Sequence, residues 1–345
     1  MYRVGVCGHF GNNKNLLNGQ TIKTKLLTEE LKIAIGSNLV QTVDTHGWKK
    51  NPVALLFKCL LLLKNCDNVV ILPAHNGVKI FIPLFLVLNW IFHKKLHYVV
   101  IGGWLPEILK KNHKLKSKMC NLDGVYVESY NMINALQILG LKNVKYLPNF
   151  KRLSILDEKN LQFPIEGQYN LCTFSRVMEE KGIEDAIDVI ININEKLGRQ
   201  VYTLDIYGPV EEKYNDRFEK IKKDFPEYIT YKGAVNYNDS VDVLKGYFAL
   251  LFPTHYKTEG VPGTIIDAYA AGLPVLASNW DSANQIIDHG KTGFIYDFMQ
   301  KSKLEDLLME LVNNPDNITR MKSNCLFKAN EFLPEKVISR FLKYL

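Results

Sequence analysis

The 345-residue chain has no CxxC pair and no His pair at zinc spacing, and its six cysteines (Cys7, Cys59, Cys66, Cys120, Cys172, Cys325) are scattered, several of them inside apolar runs. That excludes a zinc ribbon or a disulfide scaffold and reads as reduced, buried thiols in a cytosolic protein. Long hydrophobic runs are missing too. The most apolar stretch, residues 80–92, is 13 residues long and contains Pro83 and Asn89, short of the roughly 18 to 20 that cross a bilayer; it reads as a core helix. The start, MYRVGVCGHFG, passes from one basic residue into a strand pattern, so no secretory signal is expected. Gly (22) and Pro (13) are too sparse for a fibrous chain, and 47% hydrophobic against 23% charged residues excludes general disorder. No helix-turn-helix, finger or RNP-type pattern accompanies the lysines, which argues against nucleic acid as a partner.

What is present is enough sequence for two cores, unevenly charged. Residues 1–148 carry 19 Lys/Arg against 7 Asp/Glu, while residues 149–345 carry 24 against 29, so a net +7 hides a basic half and a mildly acidic one. Lysines cluster at Lys49 and Lys50, at Lys94 and Lys95, and through KKNHKLKSK at 110–118. Such a surface suits phosphate groups or lipid headgroups; the plain alternative is a solvated helix face.

Strand and helix patterns alternate twice along the chain. YRVGVCG, NLVQTV, NVVILPA, HYVVIGG, GVYVES and NVKYLPN are short β-branched or aromatic runs, separated by helical patterns such as residues 21–35, where Ile22, Leu26 and Ile33 share a face. After PNFKRL the pattern restarts with YNLCTFS, a helix over 183–197 stopped by Gly198, then YTLDIYG, ITYKGAV, FALLFPT, LPVLAS and GFIY. Near-continuous apolar strands with intervening helices are the mark of buried parallel sheets. The expected fold is therefore α/β: two doubly wound Rossmann-like domains, 1–148 and 149–325, facing across a cleft.

Ligands in open α/β sheets sit beyond the carboxyl ends of the strands. The first such loop, GHFGNNKNLLNGQTIKT, holds Gly8, Gly11 and Gly19 but no G-x-G-x-x-G, which disfavours a nicotinamide dehydrogenase. Gly19, just before a helix start, leaves backbone N–H groups for a phosphate. In the second half, FSRVMEEKG places Arg176 and Lys181 between a strand and a helix, where two cations can converge on one diphosphate. LDIYGP and ITYKGAV end strands in glycine (Gly208, Gly233), which permits close approach of a flat group or simply makes a turn. The most specific stretch is EGVPGTIIDAYAAGLPVLAS: Glu259 precedes a Gly/Pro-bounded turn (Gly260 to Gly263), Thr264 opens a helix, and Asp267 follows one turn in. Such a loop offers N–H donors to phosphate and two acids to the hydroxyls of a polyol, although acids near a helix start also match its dipole.

The ordered set PNF, SRxxxxKG, YGP, YKG, FPT, EGxPxxxxD, AxGLPVxAS and NQIIDHGKTGFIY resembles the retaining glycosyltransferases of family 4, closely over residues 145–297 and loosely before them. The resemblance implies the GT-B fold and transfer of a sugar from a UDP- or GDP-linked donor to a glycan or lipid-linked acceptor, as in bacterial surface polysaccharide synthesis. Arg176 and Lys181 would hold the donor diphosphate. Glu259 would bind hydroxyls of the transferred sugar, with Val261, Pro262, Gly263 and Thr264 around it, and Asp267 would hold the ribose. Tyr207, Gly208, Gly233 and Val235 would form the base slot, and Gly19 would approach the phosphates from the first domain. No metal and no cofactor is implied, in keeping with the lack of a D-x-D. Segment 326–345 is expected to cross back to the first domain. Two departures stand out: Asp267 replaces the usual Glu, and the position where the family often has a His is Gly102 or Gly103 here. The acceptor side is then assigned to Gly103, Trp104 and His75, with His75 a candidate proton acceptor or a loop residue, and Trp104 a platform or core. The expected setting is the cytoplasm, with peripheral contact at the inner membrane face. Non-catalytic sugar-nucleotide binding, or 2-epimerisation on the same fold, are the alternatives.

Overall fold

The computed structural model describes residues 3–11, 19–163 and 167–345. Among them twelve strands form two all-parallel sheets of six, the doubly wound α/β class that the alternating apolar runs predict. The chain divides into one unit made of Met1–Lys151 with Pro334–Leu345 and a second made of Arg152–Leu333.

The first unit holds β1 (Val4–Gly8), β2 (Val40–Asp44), β3 (Asn68–Leu72), β4 (Lys95–Val99), β5 (Gly124–Val127) and β6 (Val144–Tyr146), in the order β2-β1-β3-β4-β5-β6. Its helices are α1 (Gly19–Ile35), α2 (Pro52–Asn65), α3 (Val78–Phe92), α4 (Leu105–Lys111), α5 (His113–Met119) and α6 (Tyr130–Ile138). Helices α2 to α6 bury Cys59, Leu62, Phe81, Phe85, Leu109 and Met119 against one face of the sheet. The other face is covered by α1 and the helix Pro334–Leu342, whose Phe341 ring stands edge-on to Tyr126 at 4.8 Å. Asparagine punctuates the basic half: Asn51 caps α2 by accepting from Ala54 N at 3.0 Å, and Asn112 splits the lysine-rich run by capping α5 through Leu115 N at 2.9 Å.

Four local expectations need correction. Ile22 and Ile33 of α1 are exposed, because the helix lies close to the sheet on its threonines instead: a Cβ on Gly8 would sit 2.7 Å from Thr24 Cγ2. Helix α3 is only half a core helix, with Val87, Trp90 and Ile91 turned outward. Cys120 is exposed, at the end of α5, while the other five cysteines are buried. Residues 326–333 belong to the second unit, where Ala329 and Phe332 join Cys325 in the core.

The second unit holds β7 (Tyr169–Phe174), β8 (Tyr202–Tyr207), β9 (Ile229–Gly233), β10 (Ala249–Phe252), β11 (Val275–Ser278) and β12 (Gly293–Tyr296), with α7 (Ile183–Leu197), α8 (Asn215–Lys222), α9 (Ser240–Leu244) and α10 (Gly263–Ala270) among its helices. The order β12-β11-β10-β7-β8-β9 places the first strand beside the fourth, so the winding direction reverses between β7 and β10. In open parallel sheets such a reversal point is the usual place for a ligand, beyond the carboxyl ends of the two strands.

Candidate functional site

Both loops that leave the reversal point carry the residues singled out above. After β7 the chain turns through Gly182, whose φ of 66° and lack of a side chain are both needed, since a Cβ there would lie 1.9 Å from Pro253 O. That close approach ties the loop to the one after β10. His255 N donates to Glu180 O at 2.8 Å, Thr254 Oγ1 donates to the same carbonyl at 3.2 Å, and His255 Nε2 lies 2.7 Å from Asp185 Oδ2. Fixed in this way, Lys181 Nζ makes an ion pair with the Glu259 carboxylate and lies 5.3 Å from the centre of the Phe252 ring. Thr254 Oγ1 is 3.5 Å from the same Glu259 oxygen. The Lys181 and Glu259 side chains remain 19% and 13% accessible, so the pair is reachable from solvent.

Helix α10 starts four residues after Glu259, with Pro262 at its cap and no capping bond from that residue's side chain. A helix start of this kind has donors and positive potential to offer an anion. Thr264 Oγ1, in its first turn, is buried and has no hydrogen-bond partner among the described residues. Val261 is packed in the core beneath this turn. Asp267 sits on the inner side of α10, 3% exposed, where Ser240 Oγ donates to its Oδ1 at 3.0 Å.

Arg176 is on the same β7 loop as Lys181 but points to Glu211, Nη1 to Oε1 3.7 Å, with 45% of its side chain accessible. The backbone here is braced by Val177 N to Pro209 O at 3.0 Å and Glu211 N to Val177 O at 2.9 Å. Gly208 serves that bracing: at φ 129° its missing side chain makes room for Ser175 O, which a Cβ would approach to 1.8 Å. Its space is thus taken by the neighbouring loop, whereas Gly233, at φ 77°, has open space where its side chain would be. Tyr207 hydrogen-bonds Tyr247 through their hydroxyls at 2.8 Å, and Tyr247 donates to Asp205 Oδ2 at 2.6 Å. Burial first, and the bond to Asp205 second, push the Tyr247 hydroxyl well above its usual range.

In the first unit, His75 and Trp104 stand edge-on at 5.2 Å beyond β3 and β4, and Trp104 Nε1 donates to Ile101 O at 2.7 Å. Gly103 adjoins them, Gly19 is the first residue of α1 with nothing within 4 Å of its would-be side chain, and residues 12–18 of the glycine-bearing loop lie outside the described residues. Two groups escaped the sequence reading. His9 and His46, at the ends of the adjacent strands β1 and β2, meet Nε2 to Nδ1 at 3.0 Å, and Asp44 Oδ1 accepts from Phe10 N at 2.9 Å and His46 N at 2.8 Å. Burial, with His46 second, lowers the His9 pKa. A His directly after a strand end was the available signal. Lys23 and Glu128 form a buried ion pair, with Lys23 Nζ also donating to Val100 O at 3.2 Å. No local signal links residues 105 positions apart.

Two six-stranded parallel sheets of this build are the architecture of GT-B glycosyltransferases. Over the full length of both chains the structure is similar to Anabaena Alr3699/HepE, crystallised in complex with UDP and glucose, with a TM-score of 0.74 at 13% identity. Residues 157–325, just under half of the chain, match the family described as glycosyl transferases group 1. In sequence the chain is 26% identical over 284 residues to an uncharacterized 41.2 kDa protein in the cps region of Klebsiella pneumoniae, covering 76% of this chain and 75% of that one. It is also 25% identical over 158 residues to a GDP-mannose-dependent alpha-(1-6)-phosphatidylinositol monomannoside mannosyltransferase of Mycobacterium tuberculosis, covering 43% of this chain and 39% of the relative. These findings together support a glycosyltransferase of the GT-B fold.

Proposed function

We propose that this chain moves a sugar from a nucleotide-sugar donor, UDP- or GDP-linked, to a glycan or lipid-linked acceptor, with retention of anomeric configuration and without a metal, in the assembly of a surface polysaccharide. The observation that carries this reading is the Lys181–Glu259 pair held open at the reversal point of the second sheet. Bond cleavage at the anomeric carbon leaves new negative charge on a nucleoside diphosphate. A cation fixed in advance stabilises that charge more in the transition state than in the ground state, which is the condition for catalysis. Lys181 fills this role, and Arg176, freely accessible on the same loop, supplies the second cation. Glu259 then exchanges part of its bond with Lys181 for hydroxyls of the donor sugar and the start of α10 takes phosphate oxygens on its N–H groups, while Asp267, 3% exposed and bonded to Ser240, meets the ribose only by giving up that bond. Tyr207, Gly233 and Val235 face the base and His75 with Trp104 the acceptor, while Gly208, its space filled by Ser175 O, braces the loop.

Support from outside the site comes from the relative in the cps region and from the neighbour crystallised with UDP and glucose. Calorimetric titration of UDP, GDP and their sugars tests the donor half: one nucleotide series binds and Lys181→Ala weakens it. Proton NMR of the glycoside product then reads its configuration. Binding of no nucleotide diphosphate, or an inverted product, overturns the corresponding part of the reading.

A further inference from the structure

Helices α2 and α3 pack side by side on one face of the first sheet, and the sides they turn away from it are apolar. On α2, Val53, Phe57 and Leu61 are exposed at spacings of four; on α3, Val87, Trp90 and Ile91 are, with Trp90 80% accessible. A surface helix normally pairs an apolar inner stripe with a polar outer one. Helix α3 instead has only Lys79 and Asn89 as polar residues in 15 positions, and α2 has no acid at all. Among the described residues no carboxylate pairs with Lys58, Lys64 or Lys79, which border the apolar stripe. Across residues 48–119 the sequence has twelve lysines and two acids, and α4 and α5 continue the same charge.

We infer that the outer face of α2 and α3 docks flat on an anionic lipid bilayer. The inference deepens the membrane-side setting of the proposed transfer but does not depend on chemistry at Lys181. Three observations select this occupant. Apolar side chains ringed by long lysines match an interface where the chain stems lie in the acyl boundary and the ammonium groups reach phosphates. An exposed Trp at the end of such a helix is the side chain that prefers that layer. No helix of the described residues is long and apolar enough to cross a membrane, so α3 can lie in the interface but not span it. A second copy fits poorly, since a twofold pairing would set Lys58, Lys64 and Lys79 against their own images.

Flotation of the full chain with vesicles of phosphatidylcholine containing roughly a third phosphatidylglycerol, enough to give a negative surface potential, tests the inference. Binding is expected to the anionic vesicles and not to pure phosphatidylcholine, and to weaken at high salt. Trp90 emission should shift to the blue on binding, and Trp90→Phe should remove that shift. The double variant Phe57→Glu, Trp90→Glu should reduce partition by at least about tenfold, and Lys58→Gln by about fivefold. Phe327→Glu, at an exposed phenylalanine of the second unit, should leave it unchanged. Circular dichroism and nucleotide titration of each variant establish that fold and donor site persist, which separates failure here from failure of the transferase reading. Absence of partition at low salt, partition indifferent to the double variant, or concentration-dependent self-association that this variant abolishes would each overturn the inference.

Discussion

Among the described residues each unit has a Lys–Glu pair linking the region after its first strand to a later strand end, and the two pairs differ in the way that matters. In the first unit Lys23 and Glu128 are each 6% accessible, and Val100 O takes a further bond from the ammonium. In the second, Lys181 and Glu259 are two to three times more open. A charge pair sealed from water contributes to a unique packing but has nothing to offer a ligand, while a pair that solvent reaches can exchange partners. Residue type alone does not tell the two apart; depth does.

Removing one partner of the sealed pair is the strongest way to break this contrast. Lys23→Met takes the ammonium away from a buried carboxylate, with an expected loss of about 3 to 5 kcal/mol in unfolding free energy. Urea denaturation measures it. Adding Glu128→Leu should recover most of the loss, since a carboxylate kept in a buried site without its ammonium costs more than the attraction itself contributed. A single variant within about 1 kcal/mol of the parent would put both pairs in the same class.

The open pair predicts the reverse pattern. Lys181→Ala should reduce turnover by about 10² to 10³, the scale of losing one preorganised charge-stabilising donor, while unfolding free energy moves by about 1 kcal/mol or less. Arg176→Ala should act in the same direction and no more strongly, because the guanidinium is already half in water. Steady-state kinetics beside a denaturation curve decides this, and near-normal rates in both variants would remove the cations from the mechanism.

Titration extends the comparison to the first unit. Burial holds the His97 imidazole down at about 4, between Tyr126 OH at 3.0 Å and Asn68 Oδ1 at 3.1 Å. The unfolded chain, with an ordinary imidazole near 6.5, binds this proton earlier as pH falls. Its contribution is therefore fully present above that value and declines as pH drops from about 6.5 toward 4, by about 2 kcal/mol between pH 7.5 and 5. Denaturation at those two pH values should show a smaller difference for His97→Gln than for the parent. An equal difference would mean that other groups carry the acid sensitivity.

How much of this was legible in sequence follows from the range of the interactions. The strands of both sheets sit where the apolar runs place them, and the helix over 183–197 ends at Gly198, because strand burial and helix stops are written within a few residues. Glu259 and Lys181 could each be singled out by motif and loop, yet their pairing depends on β7 lying beside β10, a contact between positions 78 apart. Gly208 fits a turn or a slot for a flat ligand equally well in sequence, and the fold decides it by filling that space with Ser175 O. The inner face of α1 was misassigned for a related reason. Apolar periodicity pointed to Ile22 and Ile33, but close packing on Gly8 favours threonines there, and periodicity carries no information on the distance between helix and sheet.

The finest test of the open pair is the hydroxyl that touches both loops. Thr254 is buried, donates to Glu180 O and lies 3.5 Å from Glu259 Oε1, while accepting from Tyr256 N at 3.1 Å. Thr254→Val keeps the volume and removes these bonds, at an expected cost of about 1 kcal/mol in stability and a few-fold in turnover at unchanged donor affinity. The split matters because the ion pair itself survives the change. If Lys181 and Glu259 act as freely exposed charges do, loosening the loop leaves turnover where it was. If they act because the loops aim them, kcat falls and KM does not, since aim contributes to the transition state and adds little to ground-state binding.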